Sequence, residues 1–276
     1  MASVTHAAAP RFRLRLPTLL ELGALLAFLF VVAPLVVVAG AARKGGGMAF
    51  PPRLLTFHWM IQALQEWDFV SGALVSFCLA LAAASVSTMF AIPVALMLRR
   101  VRPATARLLS LTFLGPLLVP TVIFALALYQ VMLTVFGSNS LFALLAGHVI
   151  ITMPYPVRTI TAVSEGLDPA LEDAASSVGS HPWNTFRRVT FPLIKSGVVA
   201  GFLFAFITSW NDFSVSIFLT PREFAPLPIK IYEYLLYEYR PVIAAVSTWS
   251  VLASAALVYI IDRLVGLNVF VGQRST

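Results

Sequence analysis

Asp212 is a carboxylate set among Ser209, Trp210 and Asn211 at the end of a long uncharged run, and it is the residue of this chain best placed for chemistry inside an apolar region. An ionised group in such surroundings needs a counter-charge, hydrogen-bond donors or water. Two roles fit the residue types. The carboxylate can pair with the ammonium group of a cationic solute, with Trp210 offering a cation-π face. Alternatively it hydrogen-bonds within a helix bundle or caps a break in a helix. Counting from Lys195 at about 1.5 Å per residue puts Asp212 roughly 25 Å along a helix. His148 is the second candidate, with no His, Cys or carboxylate at metal-ligand spacing, so a helix–helix hydrogen bond suits it better than catalysis. The lone Cys78 excludes an intrachain disulfide and a cysteine metal cluster. No His-Glu-x-x-His and no Gly-x-x-x-x-Gly-Lys-Ser/Thr sequence is present, which excludes that metalloprotease chemistry and ATP hydrolysis by a phosphate loop.

The elements that must position these residues are membrane helices. Hydrophobic residues make up 59% of the 276 and charged residues only 11%, far from the roughly 25% charged that soluble domains carry. Charge is absent from Leu22 to Ala42, Phe69 to Leu98, Leu108 to Val157, Ser196 to Asn211 and Pro241 to Ile261. A span needs about 20 apolar residues, so the stretch between Arg107 and Arg158 must cross twice. Its reversal falls at Phe136-Gly137-Ser138-Asn139-Ser140. The expected fold is all-α and integral to the membrane, with six spans near 19–42, 70–98, 108–135, 141–157, 196–219 and 241–262. Pro116 and Pro120 in the third span, and Pro154 and Pro156 at the end of the fourth, are expected to bend or break those helices. The domain organisation is an N-terminal tail (1–18), a six-helix domain (19–262) containing a polar loop at 158–195, and a C-terminal tail (263–276).

Lys and Arg set the orientation, because inside loops retain them. With the N-terminus inside, thirteen of the nineteen basic residues lie in inside segments and six outside. Both termini and the 158–195 loop are therefore expected on the cytoplasmic side of the membrane. A basic rim of this kind accounts for the net charge of +7, so no nucleic-acid partner is expected. The first apolar segment is longer than a signal-peptide core and is followed by Arg43-Lys44-Gly45-Gly46-Gly47, so it reads as a retained anchor. Tyr232, Tyr234, Tyr237 and Tyr239, with Glu233 and Glu238, fall in the last outside loop. They form either an interface belt or an outward-facing contact site for another protein.

The 158–195 loop carries its own helix signals. Asp168-Pro169 suits a helix start, and Glu172 and Asp173 favour the positive end of the helix dipole. Ala174 and Ala175 are strong helix formers that permit close approach, and Gly179 suits a left-handed cap. A second start follows at Ser180-His181-Pro182, with Trp183, Phe186 and Thr190 on one face, and Pro192 is expected to stop it. Such a helix pair either rests on lipid or offers a small-residue patch to a protein. The absence of Lys and Arg from the first helix favours the protein.

The order Asp173-Ala174-Ala175, then Gly179, then Val189-Thr190-Phe191-Pro192 resembles the EAA loop of permease subunits in binding-protein-dependent ABC importers. Asp173 stands where that family usually has Glu, and Phe191 where it usually has Leu. The resemblance extends across all six expected spans. It implies a type I importer permease fold whose loop forms a coupling helix seated in a cytoplasmic ATPase, with Glu172, Asp173, Ala174, Ala175, Gly179, Arg187 and Pro192 serving the coupling. The runs Trp210 to Leu219, Leu227-Pro228-Ile229 and Pro241 to Thr248 are similar to spermidine/putrescine-type permeases. That similarity implies a polyamine such as spermidine or putrescine as cargo, with Ser209, Trp210, Asn211 and Asp212 along its pathway.

The implied partners are an ABC ATPase dimer, a second permease subunit, a periplasmic solute-binding protein and membrane lipid. The chain is expected to be non-catalytic and to bind no cofactor, with ATP and Mg held by the ATPase. The alternatives are a secondary transporter of a cationic solute and an intramembrane enzyme. The sequence shows no internal halving of the kind many secondary transporters carry. An enzyme would need a nucleophile with a usable His base, and His148 is the one His within an expected span.

Overall fold

The computed structural model describes residues 57–137, 140–221, 223–237 and 240–265, with scattered helical positions between 22 and 40. The tails expected at 1–18 and beyond 265, most of the first span, and Ser138, Asn139, Glu238 and Tyr239 lie outside the described residues. Among the described residues every regular element is helical. In chain order they are α1 (His58–Gln65), α2 (Trp67–Arg100), α3 (Pro103–Leu118), α4 (Thr121–Phe136), α5 (Leu141–Thr152) and α6 (Pro154–Ser164). There follow α7 (Ala170–Ser177), α8 (Pro182–Thr185), a π-helical turn (Phe186–Thr190), α9 (Phe191–Trp210), α10 (Ser216–Leu219), α11 (Leu227–Tyr237) and α12 (Val242–Val265).

The 34-residue α2 is the central post, packed against α9, α6, α5 and α11. Its buried face is a stripe of small residues: Ala80, Ala84, Ser87, Ala91 and Ala95 are all fully enclosed. Lipid offers no hydrophobic drive for helix association, so close backbone approach through small side chains supplies the packing. The α6–α9 contact uses the same device. A Cβ added to Gly197 would fall 2.8 Å from the Thr159 carbonyl oxygen, and Thr159 Oγ1 donates to the Gly197 carbonyl at 2.9 Å.

Four helical stretches are long and apolar enough to cross a bilayer: 67–100, 141–164, 182–210 and 242–260. A fifth crossing arises if α3 and α4 count as one broken span, since their axes meet at 104°. That break falls at Val119-Pro120, where proline removes a backbone donor, as expected. The proline pair at 154 and 156 does less than expected. Both sit in the first turn of α6, where an unbonded N–H costs nothing, and the interruption is confined to Met153.

The fifth expected span needs correction at both ends. Pro192 does not stop a helix; it occupies the first turn of α9, and helical structure runs on from 182 through the π turn to 210. The expected far end, near 219, is also wrong: α9 finishes at Trp210, and a non-helical segment precedes the single turn of α10. Asp212 therefore lies past the end of the helix, in the break.

Candidate functional site

Two polar assemblies stand out in this apolar chain, one on α7 and one where α9 breaks. The first begins at Asp168, whose Oδ1 accepts the Ala170 N–H at 2.9 Å and caps the incoming end of α7. At the other end Gly179 adopts φ 75°. Its N–H donates to the Ser176 carbonyl at 3.0 Å, and the Ser180 N–H donates to the Ala175 carbonyl at 3.1 Å. These are the paired bonds of a Schellman ending, which needs a residue free to take positive φ. His181 then caps α8, its Nδ1 accepting the Trp183 N–H at 3.2 Å, and Trp183 stacks on Phe186 with centroids 5.5 Å apart.

Glu172 is the polar centre of this region. Its Oε2 accepts from Arg99 Nη2 at 2.7 Å and from Arg100 Nη2 at 3.0 Å, while Oε1 accepts from Thr190 Oγ1 at 2.8 Å. Burial alone would push this carboxyl upward. The hydrogen bonds from Thr190 and Arg100 and the charges of Arg99 and Arg100 outweigh it and hold Glu172 below the usual glutamate range. The expected coupling residues thus divide. Glu172 is turned inward, with 18% of its side chain exposed. Asp173 and Ala174 are exposed, as are Leu171 and Val178, the latter 83% exposed, and Ala175 is half-buried. Arg187 and Pro192 are exposed on the neighbouring turns.

The second assembly joins α5 to the break after α9. His148 is fully buried, with Nδ1 2.8 Å from Ser209 Oγ and Nε2 3.1 Å from Ser216 Oγ. The Ser216 hydroxyl donates to the Asp212 carbonyl at 2.9 Å, so it accepts from His148 Nε2–H. The Ser209 hydroxyl is then left to donate to Nδ1, and every polar atom of the imidazole is satisfied. Asp212 Oδ2 accepts the N–H groups of Val215 and Ser216 at 2.9 and 3.1 Å and caps α10. Of the roles open to Asp212, capping a helix break is therefore the one the geometry makes. Ser, His and Asp meet here without forming a nucleophilic site, because Ser209, Ser216 and His148 are all enclosed.

The remaining expected pathway residues separate in the same way. Trp210 is buried and its Nε1–H donates to Ser250 Oγ on α12 at 3.1 Å. Asn211 alone among the four has an exposed side chain, which donates to the Ile207 carbonyl at 3.0 Å. Tyr234 packs on Phe69 with centroids 4.6 Å apart, Tyr232 on Phe213 at 5.1 Å, and Tyr237 is exposed. Among the described residues no group of three His, Cys, Asp or Glu side chains is arranged to hold a metal.

Sequence reasoning missed Arg99, Arg100 and Thr190 as partners of Glu172. The visible signal was a pair of arginines ending an uncharged stretch, with four acids, Glu165, Asp168, Glu172 and Asp173, in the 158–195 loop. It also missed the α6–α9 seam, although Gly197-x-x-x-Gly201 is a known signature of close helix approach.

The model of the family described as "binding-protein-dependent transport system inner membrane component" matches residues 87–270. The spermidine/putrescine transport system permease protein PotC of Haemophilus influenzae is 25% identical over 247 residues, covering 88% of this chain and 96% of its own. A Salmonella paratyphi A relative named for 2-aminoethylphosphonate transport is 24% identical over 215 residues, covering 75% of this chain and 77% of its own. Among solved structures, a chain of the bacterial alginate ABC transporter in complex with its alginate pentasaccharide-bound periplasmic protein superposes with a TM-score of 0.67 at 16% identity. That superposition covers 89% of this chain and 92% of the other. An apolar chain whose described elements are all helical, matched to one family model over two thirds of its length, has a settled class. The chain belongs to the binding-protein-dependent transport inner membrane component family, the multi-pass, non-catalytic permease subunits of ABC importers.

Proposed function

We propose that α7 is the coupling helix of this permease, that it seats on a cytoplasmic ATPase subunit, and that the cargo is a polyamine such as spermidine or putrescine. The observation carrying the first part is the exposure of α7. A helix with Leu171, Asp173, Ala174 and Val178 all facing outward leaves apolar and small side chains uncovered beside one acid. Small residues allow a groove to close around the helix, and the Gly179 ending fixes the angle at which α8 leaves it. Asp173, Ala174, Ala175, Gly179, Arg187 and Pro192 form the docking surface, with ATP and Mg on the partner. The distribution of basic residues supports a cytoplasmic position for this surface and for both termini.

Six helices make half of a pathway, so a second permease subunit completes it, and a periplasmic binding protein delivers the solute from the other side. Similarity to PotC over nearly the whole length of both chains supports a polyamine cargo. With Asp212 occupied as a cap, the exposed Asn211 is the residue of its group best placed to meet solute from this chain.

The test is reconstitution in proteoliposomes with a partner ATPase, a second permease and a solute-binding protein. ATP-dependent uptake of labelled spermidine, reduced by excess putrescine, is the expected result. Uptake of 2-aminoethylphosphonate with none of spermidine would overturn the cargo. Complexes that form without α7 crosslinking to the ATPase would overturn the dock.

A further inference from the structure

The side of α7 facing away from the proposed dock is as informative as the exposed one. Among the described residues, every side-chain hydrogen bond leaving α7 for another helix ends on Glu172. The hydroxyls of Ser176 and Ser177 turn back to the carbonyls of Glu172 and Asp173 within the helix. One carboxylate thus joins three elements: the last turn of α2 through Arg99 and Arg100, α7 itself, and the end of the π turn through Thr190. Arg99 and Glu172 are 12% and 18% exposed at their side chains and Thr190 is buried, so water competes weakly for those two bonds, whereas Arg100 is 68% exposed and its bond faces solvent. Among the described residues Arg99 Nη1 is enclosed without a hydrogen-bond partner, and Glu172 is the carboxylate that compensates its guanidinium.

Each element held by Glu172 leads into the bundle. α2 is the central post. Thr190 feeds directly into α9, which is locked to α6 at Gly197 and Gly201 and to α5 through Ser209 and His148. The chain connections to α7 do not continue it as helix, running through non-helical residues 165–169 on one side and the Gly179 ending on the other.

We propose that Glu172 is a positioning residue that carries displacement of α7 into α2 and α9, and that it makes no contact with the ATPase. This rests on α7 being the coupling helix. Its consequence is that α7 and the far end of α9 move as one body when the ATPase closes. Without the carboxylate, α7 moves with the ATPase while α9 lags behind.

The test uses the complete complex in proteoliposomes, with spin labels at Ser177 on α7 and Asn211 past the end of α9, measured before and after trapping with ATP and vanadate. In the wild-type chain the intramolecular distance is expected to stay fixed. In Glu172→Gln, which keeps an acceptor for Thr190 and removes the charge, the complex is expected to form while the trapped distance shifts and broadens. The charge swap Arg99→Glu with Glu172→Arg is expected to restore the fixed distance. A trapped distance that stays fixed in Glu172→Gln would overturn the proposal, as would loss of ATPase capture by that variant, which would make Glu172 a dock contact. If the wild-type chain itself captures no ATPase, the coupling role of α7 fails first and takes this proposal with it.

Discussion

Gly201 on α9 lies so close to Pro156 on α6 that a Cβ added to the glycine would fall 2.5 Å from the Pro156 Cα. The neighbour is backbone of a helix that begins with two prolines, and it has little room to yield. Gly201→Ala is therefore expected to force the helices apart and to destabilise the bundle by about 1–3 kcal/mol, the usual range for overpacking. Thermal unfolding of the detergent-solubilised chain measures this. Gly115, where an added Cβ meets nothing within 4 Å, is the control that should hold the midpoint or raise it slightly, since Ala favours helix over Gly.

The His148 imidazole bonds two buried hydroxyls. His148→Ala strands the Ser209 hydroxyl, while Ser216 keeps its bond to the Asp212 carbonyl, and a buried unsatisfied group costs about 1–3 kcal/mol. A double-mutant cycle with Ser209→Ala should return a coupling energy of about 0.5–3 kcal/mol, since the two share one network. Additive losses would mean that the cavity left by the ring, and not the hydrogen bonds, accounts for the damage.

Asp212→Asn separates the cap from the charge. Asn retains a side-chain oxygen for the Val215 and Ser216 N–H groups and is as good a cap as Asp, whereas Asp212→Ala forfeits about 0.5–2 kcal/mol. Uptake and folded yield are expected to survive in the Asn variant and to fall in the Ala variant. Loss of uptake in a well-folded Asn variant would restore the carboxylate to direct contact with a cationic solute.

Glu172 makes the loop sensitive to acid. Its folded-state carboxyl lies below the usual glutamate range because of Thr190, Arg100 and Arg99, in spite of burial. A depressed carboxyl contributes stability that is present above the unfolded value, about 4.3, and is lost as pH falls through the lower folded value. Protection of α7 from proteolysis should therefore be flat from neutral pH down to about 5 and then decline. In Glu172→Gln the protection should be lower at neutral pH and lack that decline.

The elements that could be read from the sequence are those set by local chemistry. Asp168 and Gly179 bracket α7 because an Asx cap and a positive φ depend on neighbours within a few residues. Pro120 breaks a helix for the same reason. Asp212 could be narrowed to a few roles, since a carboxylate beyond an apolar run must find donors, but the choice depended on where α9 ends. The π turn at 186–190 absorbs a change of register that carries helix past Pro192, and nothing in the residue pattern announces it. Arg99 and Glu172 are 73 positions apart, and only the packing of α2 beside α7 makes them partners.

Gly179 offers the most direct test of the geometry of the dock. At φ 75° a β-branched residue meets its own backbone, a left-handed cost of about 1–2 kcal/mol. Nothing lies within 4 Å of the position an added Cβ would take, so packing inside the chain adds nothing to that cost. Gly179→Val is therefore expected to leave the melting of the bundle nearly unchanged while re-aiming α8 relative to α7. ATPase capture should fall, and Gly179→Asn, which tolerates the left-handed region, should recover much of it. Equal capture by the Val and Asn variants would show that the Schellman ending does not set the docking angle.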